Sequence, residues 1–91
     1  MKMLIAYREF RPVIGENVYL AEGSQIIGNV TVGEYSSIWF NCVLRGDIDR
    51  ITIGKRTNIQ DLSVLHVNPG HPLIIEDDVS VGHSCILHGC R

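Results

Sequence analysis

Two of the four histidines in this 91-residue chain are spaced so that they could share a metal ion, and a third lies close to them in the sequence. His66 and His88 are 22 residues apart, and His83 lies five residues before His88. Neutral imidazole is a common zinc ligand, and three histidines with an open fourth position form a catalytic zinc site. The fourth histidine, His71, lies in the loop sequence NPGHP, where we expect it to be solvated. Whether the other three meet depends on the elements that carry them.

Most of the chain has an aliphatic residue at every sixth position. The series breaks twice, with three residues inserted around Asp49–Thr52 and four around Asn68–Ile74. The twelve positions hold only Ile, Leu or Val: Ile14, Leu20, Ile26, Val32, Ile38, Leu44, Ile53, Ile59, Leu65, Ile75, Val81 and Leu87. Four residues after most of them comes a small or β-branched residue, as in Val18, Ser24, Val30, Ser36, Cys42, Ile48, Thr57, Ser63, Val79 and Cys85. A period of six does not keep one face of a helix, so an amphipathic helix is excluded.

This repeat is the hexapeptide pattern of a parallel β-helix, in which three hexapeptides form one coil. We therefore predict one all-β domain over residues 1–91. Residues 1–13 lead into four coils at about 14–31, 32–52, 53–74 and 75–91. Strands of successive coils should lie about 4.8 Å apart. The period does not determine the handedness of the coil.

The same register predicts which side chains meet. Arg45, His66 and His88 each follow a strand anchor directly, so they should form one column on successive coils. The Cα atoms of the two histidines would then be about 5 Å apart, which lets both rings reach one metal ion. His83 falls in the column of Asp61, around a corner, and should point away. A third ligand could come from another copy of the chain if the rods pack around a three-fold axis.

Composition narrows the possible partners and compartments. The net charge of −2 argues against a general nucleic-acid or anionic-membrane binder. The apolar runs are far shorter than the roughly 20 residues of a membrane helix, and the first residues lack a signal-peptide pattern. Three cysteines are an odd number, which disfavours a disulfide framework. We therefore expect a cytoplasmic protein.

The cysteines and two aromatic residues have simple structural interpretations. Cys42 and Cys85 occupy small inward positions and should pack in the core. Cys90 could approach a metal, but packing is the favoured interpretation. Trp39 and Phe40 should project outward and cover either a subunit interface or a groove.

Several motifs together resemble the γ-class carbonic anhydrase family over about residues 11–91. They are RGD at 45–47, IGKRTNIQD at 53–61, VLH at 64–66 and VGHSCILHGC at 81–90. The resemblance implies a left-handed β-helix and a homotrimer with metal at the subunit interfaces. It also implies reversible hydration of carbon dioxide to bicarbonate by metal-bound hydroxide. Zn²⁺ is the expected metal, with Fe²⁺ or Co²⁺ as alternatives.

The resemblance also assigns the metal ligands. His66 and His88 would be ligands from one subunit, and His83 would be the ligand given to the neighbouring subunit. Family members continue for several more coils and end in a helix, so the resemblance implies that this chain is truncated at its C-terminal side.

Four further residues receive roles from the resemblance. Arg45 and Asp47 match an ion pair at the trimer interface, and Arg45 could alternatively hold a substrate anion. Gln60 matches a residue that orients metal-bound water or bicarbonate. Asp61 would support the ligands or lie at the interface. The candidate catalytic residues are therefore Gln60, Arg45 and Asp61.

Two other functions stay open on the sequence. A hexapeptide acyltransferase shares the fold and would use one histidine as a general base toward an acyl-CoA thioester. A non-catalytic metal-binding or scaffold homologue would keep the ligands without hydratase activity. A carbon dioxide hydration assay separates the first function from the others, and acetyl-CoA binding identifies the acyltransferase.

Overall fold

The computed structural model describes residues 2–88, which form a solenoid of short parallel strands with about four turns. The strands are β1 (Met3–Ile5), β2 (Val13–Ile14), β3 (Tyr19–Leu20), β4 (Gln25–Val32), β5 (Ser37–Ile38), β6 (Val43–Ile53), β7 (Asn58–Ile59), β8 (Val64–His66), β9 (Leu73–Ile75), β10 (Ser80–Val81) and β11 (Ile86–His88). The predicted all-β, parallel coil is confirmed. Its left-handed sense stays a prediction from the resemblance.

The strands stack into three faces. The first face holds β1, the first halves of β4 and β6, β8 and β11. The second face holds β2, the second halves of β4 and β6, and β9. The third face holds β3, β5, β7 and β10. All of these pairs are parallel, so each residue lies beside its counterpart on the next coil.

The six-residue series fills the core. Nine of the twelve aliphatic positions are buried, and the other three, Ile14, Leu20 and Leu87, are partly buried and pack against them. Each fully buried aliphatic side chain contributes roughly 1.5–3 kcal/mol relative to an exposed one. The aliphatic side chains of the repeat, which lie along the axis of the coil, therefore make its largest contribution to the stability of the fold.

The small inward residues connect successive coils. The Ser36 hydroxyl donates to the Gly54 carbonyl at 2.7 Å, and the Ser63 hydroxyl donates to the Gly82 carbonyl at 2.9 Å. Within residues 2–88, every buried side-chain nitrogen or oxygen has a hydrogen-bond partner. Buried hydroxyls are tolerated because each is hydrogen-bonded.

The predicted packing role of Cys42 and Cys85 is confirmed. Cys42 is fully buried, and Cys85 is partly buried against the same core. The Cys42 thiol lies 3.0 Å from the Gln60 carbonyl, and burial raises the pKa of this thiol above its ordinary value. Cys90 lies outside the described residues.

A column of residues with positive φ, the left-handed backbone conformation, forms the corner between the second and third faces. Asn17, Tyr35, Arg56 and Asp78 all have φ between 51° and 60°. This conformation lets the Asp78 amide donate to the Lys55 carbonyl of the preceding coil at 2.9 Å. At the same corner, the Arg56 guanidinium donates to both oxygens of Asp78, at 2.7 and 3.0 Å. These hydrogen bonds lower the pKa of Asp78.

The first insertion leaves the sheet after Gly46. The offset between β4 and β6 grows by three residues between Gly46 and Ile51, so residues 47–50 lie outside the ladder. The predicted position around Asp49–Thr52 is too late, because Thr52 is paired in the second face. Ile48, assigned to an inward position, is 48% exposed, and Ile51 is buried in its place. The assignment was wrong because inward–outward alternation restarts only where the strand resumes.

The second insertion forms the predicted loop. Asn68 and His71 make an isolated antiparallel bridge, and the chain rejoins the second face at β9. His71 is exposed, as expected.

The lead-in segment already belongs to the solenoid. Met3–Ile5 pairs with Gln25–Ile27 and extends the first face by one strand. Residues 2–88 contain no helix with the length and apolar character that membrane crossing requires.

Candidate metal centre

His66 and His88 form the predicted column on the first face. Arg45 pairs with His66 between β6 and β8, and His66 pairs with His88 between β8 and β11. The two imidazole rings are stacked, with centroids 4.9 Å apart and planes 7° apart. The lone pair of each ring nitrogen lies in the plane of its ring, so the two stacked rings must tilt toward each other before one nitrogen of each can bind a common ion at about 2.0–2.1 Å.

Both ring nitrogens of His66 contact charged side chains. Arg45 Nη2 lies 3.4 Å from Nδ1 of His66, and Asp47 Oδ1 lies 3.2 Å from Nε2. A guanidinium only donates and a carboxylate only accepts, so the tautomer that satisfies both contacts has its lone pair on Nδ1 and its proton on Nε2.

The insertion after Gly46 explains how Asp47 reaches His66. Asp47 is the first residue outside the ladder, and its Oδ1 also accepts the Ile48 amide at 2.9 Å. Its Oδ2 lies 3.6 Å from Arg45 Nε. The expected ion pair between Arg45 and Asp47 is thus formed within one chain. Its position at a subunit interface stays a prediction.

His83 lies at the corner that follows β10, apart from the histidine column. It lines an open hollow of about 370 Å³ together with Ser37, Trp39, Asn58, Gln60 and Asp61. The Ser84 amide donates to the Asp61 carbonyl at 2.9 Å, which keeps His83 beside Asp61 as the register predicts.

A chain of hydrogen bonds orients Gln60 in this hollow. Gln60 Nε2 donates to Asn58 Oδ1 at 3.1 Å, and Asn58 Nδ2 donates to Ser80 Oγ at 3.0 Å. Because the Gln60 amide nitrogen donates to Asn58, the amide plane is held and its oxygen can accept a hydrogen bond from a ligand.

Sequence reasoning missed Asn58 and Ser37, although the register could have found them. Ser37, Asn58 and Ser80 are paired in one column of the third face. Trp39 lines the hollow, which agrees with the expected outward side chain that covers a groove. Its Nε1 donates to Ser37 Oγ at 2.9 Å, and its ring lies 5.0 Å from the Tyr19 ring.

One chain thus carries two parts of a site that do not meet. Among residues 2–88, no group of three His, Cys, Asp or Glu side chains is placed to hold a metal ion. The structure brings His66 together with His88 and Arg45 with Asp47. Separately, it brings His83 together with Gln60 and Asp61.

The chain is similar to known proteins over nearly all of its length. Residues 11–46 match the family model for bacterial transferase hexapeptides with six repeats. A "Probable carbonic anhydrase" of Methanocaldococcus jannaschii is 53% identical over 79 residues, which are 87% of this chain and 50% of that protein. "Gamma carbonic anhydrase 1, mitochondrial" of Arabidopsis thaliana is 45% identical over 85 residues, covering 87% of this chain and 31% of that protein.

A solved structure extends the similarity to the fold. A Bacillus cereus protein described as a candidate acetyltransferase has a crystal structure that matches with a TM-score of 0.97 and 50% identity. The match covers 99% of this chain and 52% of that chain. The chain spans about half the length of the first curated relatives that it matches. By its repeat, its fold and these relatives, the chain belongs to the γ-class carbonic anhydrase-like family of hexapeptide-repeat proteins.

Proposed function

We propose that this chain is part of a γ-class carbonic anhydrase-like metalloprotein that interconverts carbon dioxide and bicarbonate at a metal shared between subunits of a homotrimer. The observation that carries the proposal is the division of the ligands between two faces. His66 and His88 are stacked in one column, whereas His83 lies in a hollow around the corner. Two chains related by rotation can bring these parts together, and one chain cannot.

The donor set suits a divalent metal. Imidazole nitrogens are common ligands of divalent metals, and the rings of His66 and His88 lie 4.9 Å apart in one column. His66 and His88 of one subunit, with His83 of the next, would hold the ion. Zn²⁺ is the first choice, and Fe²⁺ or Co²⁺ fit the same ligands. When bound, such an ion supplies a water whose pKa is lowered to about 7, and so a nucleophile near neutral pH.

The other residues of the chain orient and organise this site. Gln60, held through Asn58, can accept a hydrogen bond at its amide oxygen or donate one through the remaining hydrogen of Nε2 to an oxygen of bicarbonate. Asp61 lies beside His83 and can support its ring. Arg45 and Asp47 would lie at the interface formed by the histidine column. A cytoplasmic location remains part of this proposal, although the Arabidopsis relative is named as mitochondrial.

The test combines metal content, mass in solution and carbon dioxide hydration on the same samples. The proposal expects a trimer with about one metal per chain and measurable hydration that chelation abolishes and metal restores. His83→Ala should lose metal, whereas His71→Ala, a change in an exposed loop, should not. A monomer that binds no metal would contradict the proposal. A metal-loaded trimer without hydratase activity would favour the non-catalytic homologue.

An acyltransferase is the second candidate, because the matched family model and the Bacillus cereus structure carry transferase names. It requires one basic histidine, and it leaves the stacking of His66 on His88 unexplained. Stabilisation of the chain by acetyl-CoA in a thermal-shift assay, without metal, would favour it.

A further inference from the structure

We propose that Arg45 competes with the metal ion for His66, so that metal binding at this histidine requires release of the arginine side chain. The inference rests on the proposed function only in that it takes His66 as a ligand. It assigns Arg45 a regulatory contact in the metal-free chain, in addition to an ion pair with Asp47.

The argument begins with the two nitrogens of one ring. Arg45 Nη2 lies 3.4 Å from Nδ1 of His66, and Asp47 Oδ1 lies 3.2 Å from Nε2. Because the guanidinium only donates and the carboxylate only accepts, both contacts are hydrogen bonds when the ring proton is on Nε2. Both nitrogens of His66 are therefore engaged. A metal ion needs the lone pair of one of them.

Coordination through either nitrogen breaks the contact with Arg45. If the ion binds Nδ1, it takes the lone pair that accepts from the guanidinium. If the ion binds Nε2, the neutral ring carries its proton on Nδ1. Two donors, Nδ1–H and the guanidinium N–H, then face each other, and no hydrogen bond remains. The outcome for Arg45 is the same in both cases.

Arg45 can keep a contact with Asp47 after it leaves His66. Its side chain is 49% exposed, so movement costs little packing, and its Nε already lies 3.6 Å from Asp47 Oδ2. Asp47 is 18% exposed and can keep the guanidinium beside the first face. Metal binding would therefore leave Arg45 in contact with Asp47 and no longer with His66, on the face that the proposed trimer would cover.

The first test is the tautomer of His66 by ¹⁵N–¹H NMR on the metal-free chain. We expect the proton on Nε2 and a non-protonated Nδ1. In Arg45→Met this preference should weaken, because the donor to Nδ1 is gone. Zn²⁺ added to the wild type should shift the Arg45 side-chain resonances together with those of His66. A metal-free ring with its proton on Nδ1, or Arg45 resonances that do not move on zinc loading, would overturn the proposal.

The second test is metal affinity, measured by competition between the chain and a chromophoric chelator for Zn²⁺, and repeated with Co²⁺. Because the contact is long and half exposed, we expect Arg45→Met to bind about three- to fivefold more tightly. Arg50→Met, which removes an arginine from the nearby insertion, is the matched control and should change little. Equal tightening in both variants would mean a general charge effect and would refute competition. Light scattering on the same samples must show equal oligomeric state.

The two proposals fail in different ways. Metal that displaces Arg45 in a chain without hydratase activity would support this inference and contradict the proposed function. An active metal site in a chain whose His66 never contacts Arg45 would do the reverse. If neither the wild type nor Arg45→Met binds Zn²⁺ or Co²⁺, competition for the ion is refuted.

Discussion

Two defective variants of this chain should restore each other's metal site when they are mixed. One variant carries His83→Asn, and the other carries His66→Asn together with His88→Asn. Each variant alone has only part of the ligand set, since the two parts lie on different faces of the chain. A mixed assembly can place the stacked pair of the first variant opposite the His83 of the second.

The size of the recovery follows from the divided geometry. In a cyclic trimer, each interface takes the histidine pair from one subunit and His83 from the next. With equal amounts and random assembly, each contribution is intact half of the time, so about one quarter of the interfaces regain three ligands. Each variant alone should hold almost no metal after gel filtration against a weak chelator.

The assay mixes the variants under conditions that allow subunit exchange and then measures zinc per chain and carbon dioxide hydration. A His71→Asn chain, changed in an exposed loop, should behave as wild type. Full metal retention by His83→Asn alone would refute the shared site, because the pair on the first face would then suffice. Absence of recovery in verified mixed trimers would refute it as well.

Three other predictions concern stability and reactivity. Leu65→Ala leaves a cavity at a fully buried position of the core and should lower the free energy of unfolding by about 3–5 kcal/mol in a denaturant melt. Val64→Ala, on the outward side of the same strand, should lower it by less than about 1 kcal/mol. Equal effects would contradict the assigned strand orientation. Cys42 should be alkylated far more slowly in the native chain than after denaturation, because burial raises its thiol pKa, and a native rate equal to the denatured rate would contradict the burial. Asp78→Asn should lower the melting temperature slightly at neutral pH. The hydrogen bond to Arg56 lowers the pKa of Asp78 in the folded chain. Its stabilisation is therefore present above the ordinary carboxyl pKa and is lost as the pH falls through the lowered value. A difference in melting temperature between wild type and variant that persists at low pH would contradict the pair.

Much of the site could be predicted because a repeat converts sequence separation into position in space. Once each coil is known to add one strand to each face, residues 21 or 22 positions apart must become neighbours. The stacking of His66 on His88 and the separation of His83 from both follow from this arithmetic. The same arithmetic, applied to Asn58 and Ser80, would have found the residues that hold Gln60.

The errors lie where the repeat is interrupted. The hexapeptide period predicted that three residues were inserted, but not where the chain leaves the ladder, and Ile48 was therefore placed inside. An inserted loop has no counterpart on the next coil, so its path depends on contacts that the period does not describe. Here the Asp47 carboxylate accepts the amide of the next residue, Ile48, as the chain leaves the sheet.

The sequence by itself determined the coil, the core and the column of histidines, because periodic burial of aliphatic side chains permits only one register. Only the tertiary structure decided that Asp47 turns back from the insertion to His66 and that Arg45 lies against the other nitrogen of the same ring. These features depend on distances of about a hydrogen bond between side chains outside the repeat, and side-chain rotamers and loop paths set such distances after the coil has formed.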